Sequence, residues 1–259
     1  MLKAFAKRFI RPTIRRLGLD IVPYQKGSEL ISDCDDTTRD IWEAVSPFTM
    51  TSPERIAAVI QAVRYIHDNN IPGDLVECGV WRGGSAMAMA MTLKSIGATD
   101  RKIYLFDTFE GMTEPTDEDV SHHGRSAEQE FQASGGRGEI STWCLGSLEE
   151  VKVNLSQTGY PEQNINYVKG KIEETVPGIM PDQIALLRLD TDWYESTKHE
   201  LEHMFPVLSS EGVLILDDYG HWQGARKAVD DYISSNKIRI LLSRTDYTGR
   251  IAVKSSKSA

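Results

Sequence analysis

Two apolar runs in this chain stop on acidic residues. IALLRLD ends on Asp190, with Asp192 two positions later, and GVLILDD ends on Asp217 and Asp218. Carboxylates gathered at neighbouring strand ends repel one another unless protons or a cation intervene. An all-oxygen donor set selects a hard ion such as Mg²⁺. Asp190, Asp217 and Asp218 are therefore candidate metal ligands, and Asp192 a candidate general base aimed at a substrate hydroxyl. A cation that lowers a hydroxyl's pKa, beside a base that takes its proton, is what O-alkylation needs.

A second constellation lies in DLVECGVWRGGSAMAMA, which reads as a strand, a glycine turn and a helix start. Gly79, Gly83 and Gly84 permit close backbone approach, and the helix N-terminus near Ser85 offers free N–H groups to a carboxylate or phosphate. Glu77 is placed to accept from the ammonium of an amino-acid moiety. The turn lacks the G-x-G-x-x-G spacing of dinucleotide folds, which disfavours NAD. The next strand ends YLFD, where Asp107 can accept from both hydroxyls of a ribose. A ligand with a ribose and a zwitterionic tail fits both features, and S-adenosylmethionine is such a ligand. Arg82, inside the turn, could pair with Glu77 or meet an acceptor.

The elements that position these residues are strand candidates DLVECG, KIYLFD, INYVKG, IALLRLD, GVLILDD, IRILLS and GRIAVK. Between most of them run segments of helical period: TSPERIAAVIQAVRYIHDN, opened by Thr51 and Glu54 at capping-box spacing, then GSAMAMAMTLKSIG, YESTKHELEHMFPVL and HWQGARKAVDDYISS. This alternation predicts an α/β fold with a mainly parallel sheet, helices on both faces and an antiparallel hairpin at one edge. Glu77, Asp107, Asp190, Asp217 and Asp218 then share the carboxyl rim, where such sheets bind ligands. Residues 108–143 are polar, with room for one helix, and form a candidate lid. Trp193 and Tyr194 either wall an acceptor pocket or pack against the next helix. His221 either assists at the acceptor or is an idle loop residue, and His122 and His123 read as solvated.

The chain has 259 residues and a net charge of −9, with no basic stripe in its body, so nucleic acid is excluded as a partner. Cys34, Cys78 and Cys144 lack metal or disulfide spacing, which fits a reducing cytoplasm. No run is apolar enough to span a membrane, and no signal peptide is expected. Residues 1–48 read as an extension and lead-in, and 49–259 as the main domain. Lys3, Lys7, Arg8, Arg11, Arg15 and Arg16 precede the first acid, Asp20, so that removing six positive charges from −9 leaves −15 for the remainder. Residues 1–19 suit peripheral contact with an anionic membrane or packing as a terminal helix. A homo-oligomer of open order is expected.

DLVECGVWRGGS, LFDTFEGM, LLRLDTDWYEST and LDDYGHWQGARKAVDDY together resemble the macrocin O-methyltransferase family over roughly residues 49–235. The resemblance implies a class I, Rossmann-like methyltransferase using S-adenosylmethionine and Mg²⁺ on a sugar hydroxyl. Asp190, Asp217 and Asp218 match the metal ligands and Asp192 the general base. Glu77, Gly79 and Ser85 match the methionine-side turn, Asp107 the ribose contact, and GKIEETVP, opened by Gly170, the stretch near adenine, with Ile172 where an aromatic residue is expected. A catechol-type O-methyltransferase and a non-catalytic binding module are the alternatives.

Overall fold

The computed structural model describes residues 33–135 and 140–256. The compact unit begins at Cys34. The basic segment 1–19 and the Gly136–Arg137–Gly138 run lie outside the described residues.

A helix α1 (Asp36–Val45) opens the unit, capped by Asp35 and burying Ile41 and Val45. The next helix, α2 (Pro53–Asp68), buries Ile56, Val59, Ile60, Val63 and Ile66 at helical spacing along one face. Its N-cap is Ser52 rather than Thr51: Pro53 takes the first helical position, where its missing N–H costs nothing, and the Ser52 hydroxyl accepts from Arg55 N–H. Then follow β1 (Asp74–Cys78), α3 (Gly84–Ser95), β2 (Ile103–Asp107), β3 (Met112–Thr113), α4 (Ala127–Ala133), β4 (Ile140–Ser141), α5 (Leu148–Ser156) and β5 (Ile165–Lys169). The second half is α6 (Ile172–Thr175), β6 (Ile184–Leu189), α7 (Tyr194–Met204), β7 (Leu208–Leu216), α8 (Gln223–Ser235), β8 (Ser243–Arg244) and β9 (Arg250–Val253).

The main sheet runs β5-β2-β1-β6-β7-β9-β8, parallel from β5 through β7, with β9 antiparallel to β7 and β8 antiparallel to β9. The expected edge hairpin is therefore present, but of IRILLS only Ser243 enters a strand. Ile238, Ile240 and Leu242 instead pack against the core. Strand order reverses between β1 and β6, which opens a crevice at their carboxyl ends.

Side chains alternate across this sheet. Leu75, Leu186, Val213 and Ile215 join the core under α1, α2 and α3, while Val76, Leu187, Leu214 and Leu216 join the opposite core with α7 and α8 residues. The same period of two carries Glu77, Arg188, Asp190 and Asp217 to the α2 face. Helix α3, built largely of alanine and methionine, is buried on all sides because it lies between other helices and the sheet.

The polar stretch after β2 is a small two-stranded ribbon, β3 with β4, carrying α4. It is anchored at buried Asp119, whose Oδ1 accepts from Tyr194 N–H at 2.8 Å and whose Oδ2 accepts from Thr116. No helix among the described residues is long and apolar enough to cross a membrane.

Candidate active site

The glycine turn brings β1 against β6. Gly79 has φ +81° and Gly83 +89°. A Cβ on Gly79 would stand 1.9 Å from the Asp190 carbonyl oxygen, so a side chain is excluded. Ser85, in the first turn of α3, lines the same cavity as Gly79. Asp107 closes β2 and organises the turn through its carboxylate. Its Oδ2 accepts from Val80 N–H at 2.6 Å and Trp81 N–H at 3.1 Å, and its Oδ1 from Phe109 N–H at 2.7 Å. Burial raises the Asp107 pKa and these backbone donors oppose the rise. Gly170, at φ +142°, donates its N–H to the Asp107 carbonyl and lines a cavity with Asp107, Ile172, Glu173 and Thr191.

The acidic rim converges as its spacing implies. One oxygen from each of Asp190, Asp217 and Asp218 lies within 4.8 Å of the others. The structure adds two arginines that reading the sequence missed. Arg188 Nη1 contacts Glu77 Oε1 at 2.6 Å and Asp190 Oδ2 at 2.8 Å, while Nη2 donates to Asp217 Oδ1 at 2.7 Å. Arg55, from α2, donates to Asp217 Oδ2 and pairs with Asp246 at 3.0 Å. Glu77 therefore pairs with Arg188, and Arg82 instead reaches Glu150 at 2.5 Å and the Pro47 carbonyl. The charge inside an otherwise apolar strand, ALLRL, was the available signal for Arg188. Arg55 carried none, since it reads as an ordinary polar position on a helix.

Two guanidinium groups do not neutralise Glu77, Asp190, Asp192, Asp217, Asp218 and Asp246. Burial, then neighbouring carboxylates, raise the pKa of Asp192 to about 8 and that of Asp218 well above its usual range. Burial also lifts Asp190 strongly, despite Arg188. Glu77 is pushed up to about 7 by burial, against the pull of Arg188. Asp218 Oδ2 and Glu77 Oε2 are buried without a hydrogen-bond partner. Asp190 remains 29% exposed, whereas Asp217 is 5% exposed. An excess of hard oxygen donors, one of them buried and unpartnered, fits a divalent cation.

A cavity of about 300 Å³ joins the two constellations, lined by Gly79, Ser85 and Asp107 on one side and by Asp190, Asp192, Asp217 and Asp218 on the other. Its dimensions are those of a small-molecule site.

The family model described as Macrocin-O-methyltransferase (TylF) matches residues 25–253. The chain belongs to the macrocin O-methyltransferase family. It is similar to the 8-demethyl-8-(2,3-dimethoxy-alpha-L-rhamnosyl)-tetracenomycin-C 4'-O-methyltransferase of Streptomyces olivaceus, at 34% identity over 208 residues, covering 80% of this chain and 76% of that one. The demethyldecarbamoylnovobiocin O-methyltransferase of Streptomyces niveus is 32% identical over 191 residues, covering 74% and 69%. Among solved structures, the O-methyltransferase NovP superposes with a TM-score of 0.70 at 30% identity, covering 81% of this chain and 83% of that one. Calicheamicin methyltransferase CalS11 shares the fold, with a TM-score of 0.60 at 20% identity, covering 91% and 99%.

This macrocin-type protein is a class I, S-adenosylmethionine-dependent O-methyltransferase, and the family match extends beyond residues 49–235 at both ends. Trp143, Cys144, Trp222, His221 and Tyr247 also line its cavity. Trp193 is buried behind them, its ring 5.1 Å from Trp222 and 5.7 Å from Trp143, and its indole N–H donates to the Thr113 carbonyl. Trp193 thus packs, and Trp222, two residues beyond Gly220 in the acidic motif, lines the cavity in its place. Tyr194 lies under Lys227 at 4.4 Å, away from the cavity. His221 reaches the cavity, and burial followed by His122 lowers its pKa. His122 and His123 are exposed, with the His122 ring 5.1 Å from His221.

Proposed function

We propose that the chain methylates a hydroxyl of a sugar or glycoside, with a divalent cation such as Mg²⁺ held by Asp190, Asp217 and Asp218 and with Asp192 as general base. The observation that carries this reading is the convergence of three carboxylate oxygens within 4.8 Å, beside Asp192, in the cavity that also contains the glycine turn. The name of the Streptomyces olivaceus relative supports a glycoside acceptor, since the compound it methylates carries a rhamnosyl group.

When bound, S-adenosylmethionine supplies an electrophilic methyl group and the cation lowers the pKa of a hydroxyl beside it. The chain's residues supply the rest. The N–H groups at the start of α3 and the unpartnered Glu77 Oε2 suit the two charges of an amino-acid tail. Asp107 Oδ1, which accepts from Phe109 N–H at 2.7 Å and at the longer distance of 3.4 Å from Thr108 Oγ1, is the acceptor for a ribose hydroxyl in this reading, and Gly170 to Glu173 border the space for a base. Asp192, held at φ +67°, takes the proton of the acceptor hydroxyl. Trp143 and Trp222 offer flat apolar walls to the C–H face of a pyranose. The ribbon and α4 cover this side, consistent with a lid.

Methyl transfer from S-adenosylmethionine should be assayed against rhamnosides, nucleotide sugars and catechols, with Mg²⁺ and with EDTA. Methylated glycoside that forms only with Mg²⁺ is the expected result. Full turnover in EDTA removes the metal from the mechanism, and exclusive methylation of catechols overturns the sugar acceptor.

A further inference from the structure

We propose that Arg188 is a positioning residue that locks the cation-binding carboxylates to the donor-binding end of β1, so that its loss weakens both ligands although it lines neither cavity. This rests on the assignment of Asp190, Asp217 and Glu77 made above. Arg188 lies opposite Glu77 in the β1–β6 register and opposite Ile215 in the β6–β7 register. It is 1% exposed. From there one guanidinium reaches three carboxylates on three strands or strand ends, at 2.6, 2.8 and 2.7 Å.

Only a planar fork of several donors can satisfy this geometry; a lysine ammonium is a point charge. Each contact fixes a different part of the site. Holding Asp217 Oδ1 and Asp190 Oδ2 leaves the opposite oxygen of each to complete the ligand set, and on Asp217 that oxygen also accepts from Arg55. Holding Glu77 Oε1 leaves Oε2, which has no partner within the protein. Partners that orient the primary ligands of a metal change its affinity by about 10- to 100-fold when lost. A buried cation shared by three acids also keeps them from repelling one another apart, and its removal leaves them uncompensated.

The test compares Arg188→Lys, Arg188→Met and Glu77→Gln with the wild type. Calorimetry reads S-adenosylhomocysteine binding in chelator and Mn²⁺ binding without donor, and near-ultraviolet circular dichroism reports folding. Arg188→Lys, which keeps the charge, should weaken Mn²⁺ about 10- to 100-fold and weaken S-adenosylhomocysteine as well. Asp218→Asn should weaken Mn²⁺ alone, and Asp107→Asn the donor alone. Wild-type affinities in a folded Arg188→Lys protein overturn the proposal. Should both Arg188 variants fail to fold, Glu77→Gln decides. It removes a negative charge and lets Arg188 settle on Asp190 and Asp217, so Mn²⁺ affinity should fall severalfold, and an unchanged affinity overturns the proposal. If the wild type binds S-adenosylhomocysteine but no Mn²⁺, the metal reading fails, and the donor arm alone judges Arg188.

Discussion

The two halves of the cleft are built from different materials. On the donor half, the polar contacts are mostly backbone: Val80, Trp81 and Phe109 N–H groups hold the Asp107 carboxylate, and Gly79, Gly83 and Gly170 supply left-handed turns. On the other half, side chains do the same task. Arg55 and Arg188 are threaded among carboxylates, Asp218 Oδ2 has no partner, and burial drives Asp190, Asp192 and Asp218 toward holding protons. A backbone-built half tolerates changes of charge poorly at Asp107 and Glu77 but is above all intolerant of added volume. A side-chain-built half has the reverse sensitivity, because its geometry is a balance of charges.

The largest effect should follow a change of charge on that second half. Asp218→Asn removes a candidate ligand and should lower methyl transfer by about 10³-fold, several kcal/mol of transition-state stabilisation, while S-adenosylhomocysteine still binds. Steady-state turnover beside calorimetry checks this, and a variant with wild-type turnover would break the contrast between the halves. Asp192→Asn should reduce kcat by about 10²- to 10⁴-fold with Mn²⁺ affinity nearly unchanged, since a base acts in the chemical step. A rise in KM with kcat intact would reassign Asp192 to binding.

Added volume should mark the first half. Gly79→Ala places a Cβ 1.9 Å from the Asp190 carbonyl oxygen and 2.6 Å from its carbon, pressing the halves apart where they meet. A loss of about 1–3 kcal/mol in stability is expected, with weakened S-adenosylhomocysteine binding. Gly97→Ala is the control. Gly97 also has positive φ, +73°, but a Cβ there meets nothing within 4 Å, so only the backbone strain of about 1 kcal/mol should appear, with no change in ligand affinity. Equal losses from the two substitutions would remove steric closeness as the reason for Gly79.

The same division explains what could be read from the chain. Strand ends at Glu77, Asp107, Asp190, Asp217 and Asp218 were legible because short, nearly continuous apolar runs stop there. The glycine turn was legible because residue type dictates its backbone. The partners of those acids were not. Arg188 is adjacent to them only once β1, β6 and β7 align, and Arg55 arrives from a helix more than 150 residues earlier in sequence than Asp217. Asp119, which ties the inserted ribbon to α7, sat in a polar stretch without periodicity. Helix α1 was passed over although Ile41 and Val45 have helical spacing and Asp35 stands at its cap, because strong polarity masked a short apolar stripe.

That cap gives the smallest effect, and its sign opposes that of the cleft carboxylates. Asp35 Oδ1 accepts from Thr38 N–H at 2.8 Å, and Oδ2 pairs with Arg64 at 2.7 Å on a side chain that is 55% exposed. Hydrogen bonding to Arg64, then to Thr38, lowers its pKa to about 2. A carboxylate with a depressed folded pKa adds stability that is complete above its unfolded value and is lost as pH falls through the folded one, here between about pH 4 and pH 2. Burial shifts Asp190, Asp192 and Asp218 in the other direction, so cations and protons compete for those carboxylates instead. Solvent screening keeps the exposed Arg64 pair to a few tenths of a kcal/mol, and the cap itself is worth about 1 kcal/mol. Asp35→Ala should therefore cost about 1 kcal/mol at pH 7 and Asp35→Asn, which preserves the acceptor, only a few tenths. Thermal unfolding at pH 7 and pH 3 measures both. The gap between wild type and Asp35→Asn should narrow at the lower pH, and a gap that widens on acidification would show that the Asp35 charge does not stabilise the fold.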